Sequence, residues 1–231
     1  MNHQPLLTAH SGADGTPENS LTFVRYALES GADAIEVDVR REPESGALVL
    51  SHDAVGRGTQ TLLQQALELT AQHAAVRINC DLKEPGLEQQ AAALAGEMGL
   101  SGRLIFSGTV DPMRLRGTQI GMEQIYWNID EQIPELYQRC RREPAWVLQA
   151  AEEMCAKCAR FGIQTINVYE QLATDGFLDI LNRHGIGASV WTVNDPARVR
   201  HFLLRGVRNI TTRNVIAALA MRQKEGSHAA I

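Results

Sequence analysis

The chain has 231 residues, 44% of them hydrophobic, and a formal net charge of -5 at pH 7. One α/β barrel fits that length, and the apolar share suffices for a core that needs no disulfide or structural metal. The acidic balance and the absence of a Lys/Arg run argue against nucleic acid, and no segment nears the ~18 apolar residues of a membrane span.

Short β-rich runs alternate with helical patterns along the whole chain. LLTAH (6–10) reads as a strand, and NSLTFVRYALESG as an amphipathic helix with Leu21, Val24, Ala27 and Leu28 on one face and a stop at Gly31. AIEVDVRRE (34–42) is the second strand, and ALVLSHD (47–53) its antiparallel extension across the turn Pro43–Gly46. The helix TLLQQALELTAQHA precedes the strand VRINCDLK (76–83), and LEQQAAALAGEMG precedes RLIFSG (103–108). After DPMRLRG comes the strand IGMEQIYWNI (120–129), then a less regular stretch holding Pro134 and Pro144. AEEMCAKCARFG is a helix, TINVYEQL (165–172) a strand, TDGFLDILNRHG a helix and ASVWTVND (188–195) a strand. DPARVRHFLLRG is a helix, VRNITTR (207–213) the last strand, VIAALAMRQK a helix, and KEGSHAAI a tail expected to fray. With the hairpin arm set aside, eight strands alternate with helices. That pattern predicts parallel pairing and closure into a single (βα)₈ TIM barrel, one α/β domain over residues 1–231.

The start, MNHQPLLTAH, lacks the basic end and apolar stretch of a signal peptide, so a cytoplasmic setting is expected. Of the four cysteines, Cys80, Cys140, Cys155 and Cys158, the last two form a C-x-x-C within a helical pattern. No second pair or ligand-spaced histidine accompanies it, so these read as packed or surface thiols rather than a zinc or redox motif.

In such a barrel the active site lies at the C-terminal ends of the strands, and polar residues gather there. His10 ends the first strand. Glu36 and Asp38, two apart on the second, project to one side, as Asp81 and Lys83 do on the third. His52 follows on the hairpin arm. Taken singly, each has an ordinary structural explanation: a salt-bridged pair, a rim histidine, a surface lysine. It is their coincidence at one end of the first three barrel units that points to chemistry. Three converging carboxylates would repel one another without a cation between them, and hard oxygen ligands favour magnesium or calcium over zinc. One divalent ion could hold phosphate oxygens, Lys83 could add fixed charge, and His10 and His52 could serve as general acid and base. His3, His73, His184, His201 and His228 fall away from this cluster and receive no role.

The order of these elements resembles the glycerophosphodiester phosphodiesterase family from about His10 to Arg213. The family's His-Arg-Gly and Pro-Glu-Asn read here as His10-Ser11-Gly12 and Pro17-Glu18-Asn19. Its Glu-Leu-Asp-Val after Gly-Ala-Asp reads as Glu36-Val37-Asp38-Val39 after Gly31-Ala32-Asp33. His52-Asp53 matches its His-Asp, Asp81-Leu82-Lys83 its Glu-x-Lys, and Trp191-Thr192-Val193-Asn194 its Trp-Thr-Val-Asn. Arg205-Gly206-Val207 through Thr211 matches its final strand.

The resemblance implies that Glu36, Asp38 and Asp81 bind the metal, that His10 and His52 form the acid–base pair, and that Lys83 steadies the transition state. The implied substrate is a small-molecule glycerophosphodiester, cleaved to glycerol phosphate and an alcohol. Three departures stand out. Ser11 replaces an arginine that would contact the phosphate, and Arg40 or Arg213 could substitute for it. Asp81 replaces a glutamate. Only residues 54–61 separate Asp53 from the helix at Leu62, so the usual small capping insertion is missing. Ser11 and Trp191 are the expected substrate contacts, with Trp191 balanced between pocket wall and core. Glu18 and Asn19 are expected to cap the first helix. Two other readings stay open: a metal-binding barrel that lost turnover with the arginine, and a Schiff-base lyase using Lys83, which the flanking carboxylates disfavour by keeping that lysine protonated.

Overall fold

In the computed structural model, residues 4–56 and 60–228 are described, the side chains of 227 and 228 excepted. His3, the side chain of His228, the end of the KEGSHAAI tail and part of the 54–61 connection lie outside them.

Eight parallel strands form the barrel: β1 (Leu6–Ala9), β2 (Ala34–Arg41), β4 (Arg77–Leu82), β5 (Leu104–Gly108), β6 (Tyr126–Asn128), β7 (Thr165–Tyr169), β8 (Gly187–Trp191) and β9 (Asn209–Thr212). They follow one another in the order β5-β4-β2-β1-β9-β8-β7-β6. A parallel bridge between Phe106 and Ile125 brings β5 to β6 and nearly closes the ring. The hairpin arm β3 (Leu48–Leu50) pairs antiparallel with β2, outside the ring. The strand after DPMRLRG is far shorter than its apolar run suggests. Met122–Gln124 form a 3₁₀ turn there, because the Gln124 amide turns back to the carbonyls of Ser101 and Leu104.

The surrounding helices are α1 (Leu21–Glu29), α2 (Leu63–Ala71), α3 (Glu88–Glu97), α4 (Ile129–Gln132), α5 (Leu136–Arg142), α6 (Trp146–Phe161), α7 (Asp175–Arg183), α8 (Pro196–Arg205) and α9 (Val215–His228). None is long and apolar enough to cross a membrane. Caps set their starts: Ser20, Thr174 and Asp195 each accept the backbone N–H three residues on. Burial of one apolar face holds each helix to the sheet, with Phe23, Phe106, Phe177 and Phe202 wholly enclosed.

The hydrophobic core thus lies between strands and helices, whereas the barrel's interior is polar. Asn79 donates to Ser107 at 2.9 Å, Thr8 donates to Asn209 at 2.6 Å, and the Asn209 amide donates to Ser189 at 2.9 Å. These bonds offset much of the cost of burying amides and hydroxyls and tie neighbouring strands together, although the Asn79 oxygen has no partner among the described residues. They also give the strand ends a polar floor.

Candidate active site

Period-two alternation sends Glu36 and Asp38 to the same side of β2, and parallel register sets Asp38 beside Asp81 on β4. One oxygen from each of Glu36, Asp38 and Asp81 lies within 4.8 Å of the others. Like charges this close would force the strands apart, and Lys83 answers part of that repulsion. Its Nζ lies 2.8 Å from Asp38 Oδ1 and also pairs with Asp81. Burial acts to lower the lysine's pKa, but Asp81 and Asp38 outweigh it and hold the amine protonated, above its ordinary range. That removes the free amine a Schiff base needs. Glu36, 5% exposed, has its pKa pushed up to about 7 by burial and by Asp38 and Asp81, against lowering by His10 and the Ser11 N–H. With all four groups ionised, the cluster carries a net charge of -2. Hard oxygens with that excess charge fit one divalent cation.

Each acid is fixed by a neighbour. Ser107 donates to Asp81 Oδ1 at 2.6 Å. The Asn19 amide donates to Asp38 Oδ2 at 2.7 Å while its oxygen accepts the Asp38 N–H at 3.0 Å. Gly108 makes room beside Asp81: a Cβ there would stand 2.3 Å from the Leu82 carbonyl and 2.9 Å from Asp81 Oδ1.

Over these acids opens a cavity of about 290 Å³ lined by His10, Glu36, His52, Asp81, Lys83, Trp191 and Arg213, among others. His10 sits at the end of β1 with Nδ1 2.9 Å from the Ser11 carbonyl, 3.9 Å from Glu36 Oε2 and 3.2 Å from Arg213 Nε. The Ser11 carbonyl needs a proton on Nδ1, whereas Arg213 needs a lone pair there, so the two contacts select opposite tautomers. Among the described residues Nε2 has no partner. His52, with its side chain 63% exposed, follows β3, and its Nδ1 lies 3.0 Å from Asp53 Oδ1. Trp191 packs at 5.7 Å on Tyr169 and forms the cavity wall. Asp130 and Glu131 face it from α4, their pKa values raised chiefly by burial.

Residues 10–72 match the Glycerophosphoryl diester phosphodiesterase family. A curated glycerophosphodiester phosphodiesterase from Bacillus altitudinis is 28% identical over 137 residues, covering 43% of this chain and 56% of that protein. The chain therefore matches little more than half the length of this relative. The family match thus covers the N-terminal part of the chain. Its fold is also that of solved structures with low identity. A structure from Agrobacterium tumefaciens provisionally assigned to these enzymes aligns at TM-score 0.78 and 16% identity, over 97% of this chain and 100% of that one. A phosphodiesterase from Oleispira antarctica, in complex with the product sn-glycerol-3-phosphate, aligns at 0.70 and 18%, over 95% and 97%.

The chain departs from expectation at Ser11. The side chain is buried, 1% exposed, and does not line the cavity; its hydroxyl accepts the Asn19 N–H at 2.7 Å. Gly12, in the left-handed region at φ 82°, turns the chain just beyond it. Asn19 is not the cap of α1, a role taken by Ser20; it joins Ser11 to Asp38. Glu18 pairs instead with Arg213 Nη2 at 2.7 Å. Of the two candidate substitute arginines, Arg40 is turned to the His52 carbonyl and Glu84, and only Arg213 reaches the cavity. Ser107, which holds Asp81, and Asn128, which lines the cavity and accepts the Gly108 N–H at 2.9 Å, carry no signal in the sequence beyond lying on strands. Cys155 and Cys158 are buried in α6, their pKa values pushed up to about 11 and about 12 by burial.

These contacts predict that Ser11→Arg will lower stability by about 1–3 kcal/mol through overpacking. Ser11→Ala, which leaves the Asn19 N–H unpaired, will cost about 1 kcal/mol. Urea unfolding of both variants checks this. An arginine tolerated without loss would mean that the buried setting of residue 11 is wrong.

Proposed function

We propose that the protein is a metal-dependent phosphodiesterase that cleaves a glycerophosphodiester to glycerol phosphate and an alcohol. The observation that carries this reading is the cluster of three carboxylates and a lysine under one cavity that two histidines also line, in a chain whose residues 10–72 match this family. A divalent cation held by Glu36, Asp38 and Asp81, magnesium or calcium, would draw charge from the non-bridging phosphate oxygens. Lys83, kept protonated between Asp81 and Asp38, adds fixed positive charge as the phosphorane forms.

In this reading His10 Nε2 faces the substrate. While Nδ1–H donates to the Ser11 carbonyl, Nε2 keeps its lone pair and takes the proton of the attacking hydroxyl, a substrate hydroxyl or water. His52 gives a proton to the departing alkoxide, so protons balance over the step; the reverse assignment uses the same atoms. Arg213 supplies the cation that Ser11 cannot. Turning to the phosphate releases its hold on His10 Nδ1 and favours the basic tautomer. Ser11 itself is a positioning residue acting through Asn19 on Asp38. Trp191 and the Asp130–Glu131 side bound the alcohol portion. The reading takes residues 1–231 as one domain without a capping insertion, acting in lipid metabolism in a cytoplasm that keeps the four thiols reduced.

Release of phosphate monoester from a panel of glycerophosphodiesters, with and without magnesium or calcium, tests the activity. Absence of product on every member would favour the metal-binding barrel without turnover. Arg213→Gln should lower kcat/KM by roughly ten- to a hundred-fold, the worth of one charge-assisted bond. Unchanged kinetics in that variant would remove Arg213 from the phosphate site.

A further inference from the structure

The opposite end of the barrel holds a larger cavity, of about 720 Å³, among the strand starts. That face of a barrel ordinarily serves stability alone, yet its lining here is strongly basic. Arg77, Arg103 and Arg208 stand against one carboxylate, Glu123, in a chain whose net charge is -5. Arg103 has a structural task, since its Nη1 donates to the carbonyls of Thr70, His73 and Val76. The side chains of Arg77 and Arg208 have neither hydrogen-bond nor ion-pair partners among the described residues. Both charges act on the phenol of Tyr126, which starts β6.

Tyr126 is 3% exposed, lines the cavity, and has no hydrogen-bond partner for its hydroxyl among the described residues. With the ring enclosed, the hydroxyl opens on the cavity as a donor for whatever the cavity holds. Burial raises its pKa while Arg208 and Arg77 lower it; the net upward shift keeps the O–H as a donor at neutral pH. Gly187 completes the arrangement: a Cβ there would meet Arg208 Nε at 2.7 Å, so the missing side chain is what lets Arg208 lie across β8. The result is two unpaired guanidinium forks and one hydroxyl donor, without a balancing acid of their own. Guanidinium forks match tetrahedral oxyanions, and 720 Å³ is room for a small organic molecule rather than a bare ion.

We propose that this cavity is a binding site for a small organic phosphate monoester, held by Arg77, Arg208 and the Tyr126 hydroxyl and separate from the mouth of the barrel. The inference does not depend on the chemistry proposed there.

Calorimetric titration of the full chain in chelator, with inorganic phosphate, glucose 6-phosphate and glycerol 3-phosphate, tests it. The esters should bind more tightly than inorganic phosphate. Arg77→Gln and Arg208→Gln should each weaken binding by about tenfold or more, with a smaller loss in Tyr126→Phe. Arg141→Gln, exposed and outside both cavities, should leave the affinity unchanged. No saturation by roughly 10 mM, or binding lost in Arg213→Gln but kept in the other variants, would overturn the site. Should the arginine variants fold poorly, phenylglyoxal labelling of the wild-type chain decides. Glucose 6-phosphate should slow modification of Arg77 and Arg208 but not of exposed Arg141; equal labelling with and without it counts against the site.

Discussion

Replacing His10 with alanine is expected to lower turnover by about 10²–10⁴-fold, the usual contribution of a positioned acid or base, without loss of the fold. The fold survives because the His10 backbone N–H, not its ring, ties β1 to β9 by donating to the Thr212 carbonyl at 2.9 Å. The ring is held on its Nδ1 side by Ser11 and Arg213, which leaves Nε2 toward the cavity. Steady-state kinetics on the best glycerophosphodiester, alongside thermal unfolding, separate the two effects. His52→Ala should show a loss of similar order, although its exposed ring relies on Asp53 for orientation. Wild-type turnover in either variant would exclude that histidine from proton transfer.

Chelation is the second large effect. Activity should vanish, and the metal-free protein should lose stability as pH rises from about 5 to about 8. Glu36 carries the argument, because its pKa is pushed up to about 7 from an ordinary 4.5. Between those values the folded state holds a proton that the unfolded chain has released. Stability therefore falls with rising pH across that window and levels off above it. Full deprotonation costs roughly 3 kcal/mol, on the scale of 1.36 kcal/mol for each pKa unit. Magnesium or calcium, by binding the native state alone, should restore both stability and activity. Glu36→Gln should abolish the pH slope and blunt the response to metal. A melting temperature indifferent to chelator, metal and pH would count against the three-carboxylate site.

Much of the site was legible in the chain because strand geometry is local. A residue and its second neighbour share a face whatever the rest of the fold does, so Glu36 with Asp38, and Asp81 with Lys83, could be paired by spacing alone. Alternating strands and helices likewise fixed the barrel class, and a barrel's strand ends are where side chains converge. The sequence also marked residue 11 as the place where the family pattern breaks.

What replaced the arginine was decided only by tertiary structure. Arg213 meets His10 across 203 residues of chain, because β9 and β1 become neighbours only when the ring forms. Burial of Ser11 depends on the turn at Gly12 and on Asn19 crossing to Asp38, a contact that no periodicity encodes. The basic cavity beneath is the same kind of result. Arg77 and Tyr126 begin β4 and β6, Arg208 immediately precedes β9, and as sequence they are three ordinary residues at strand starts. Their charges and their unpaired hydroxyl face one another only once eight strands share an axis, which sets distances by register around the ring rather than by separation along the chain.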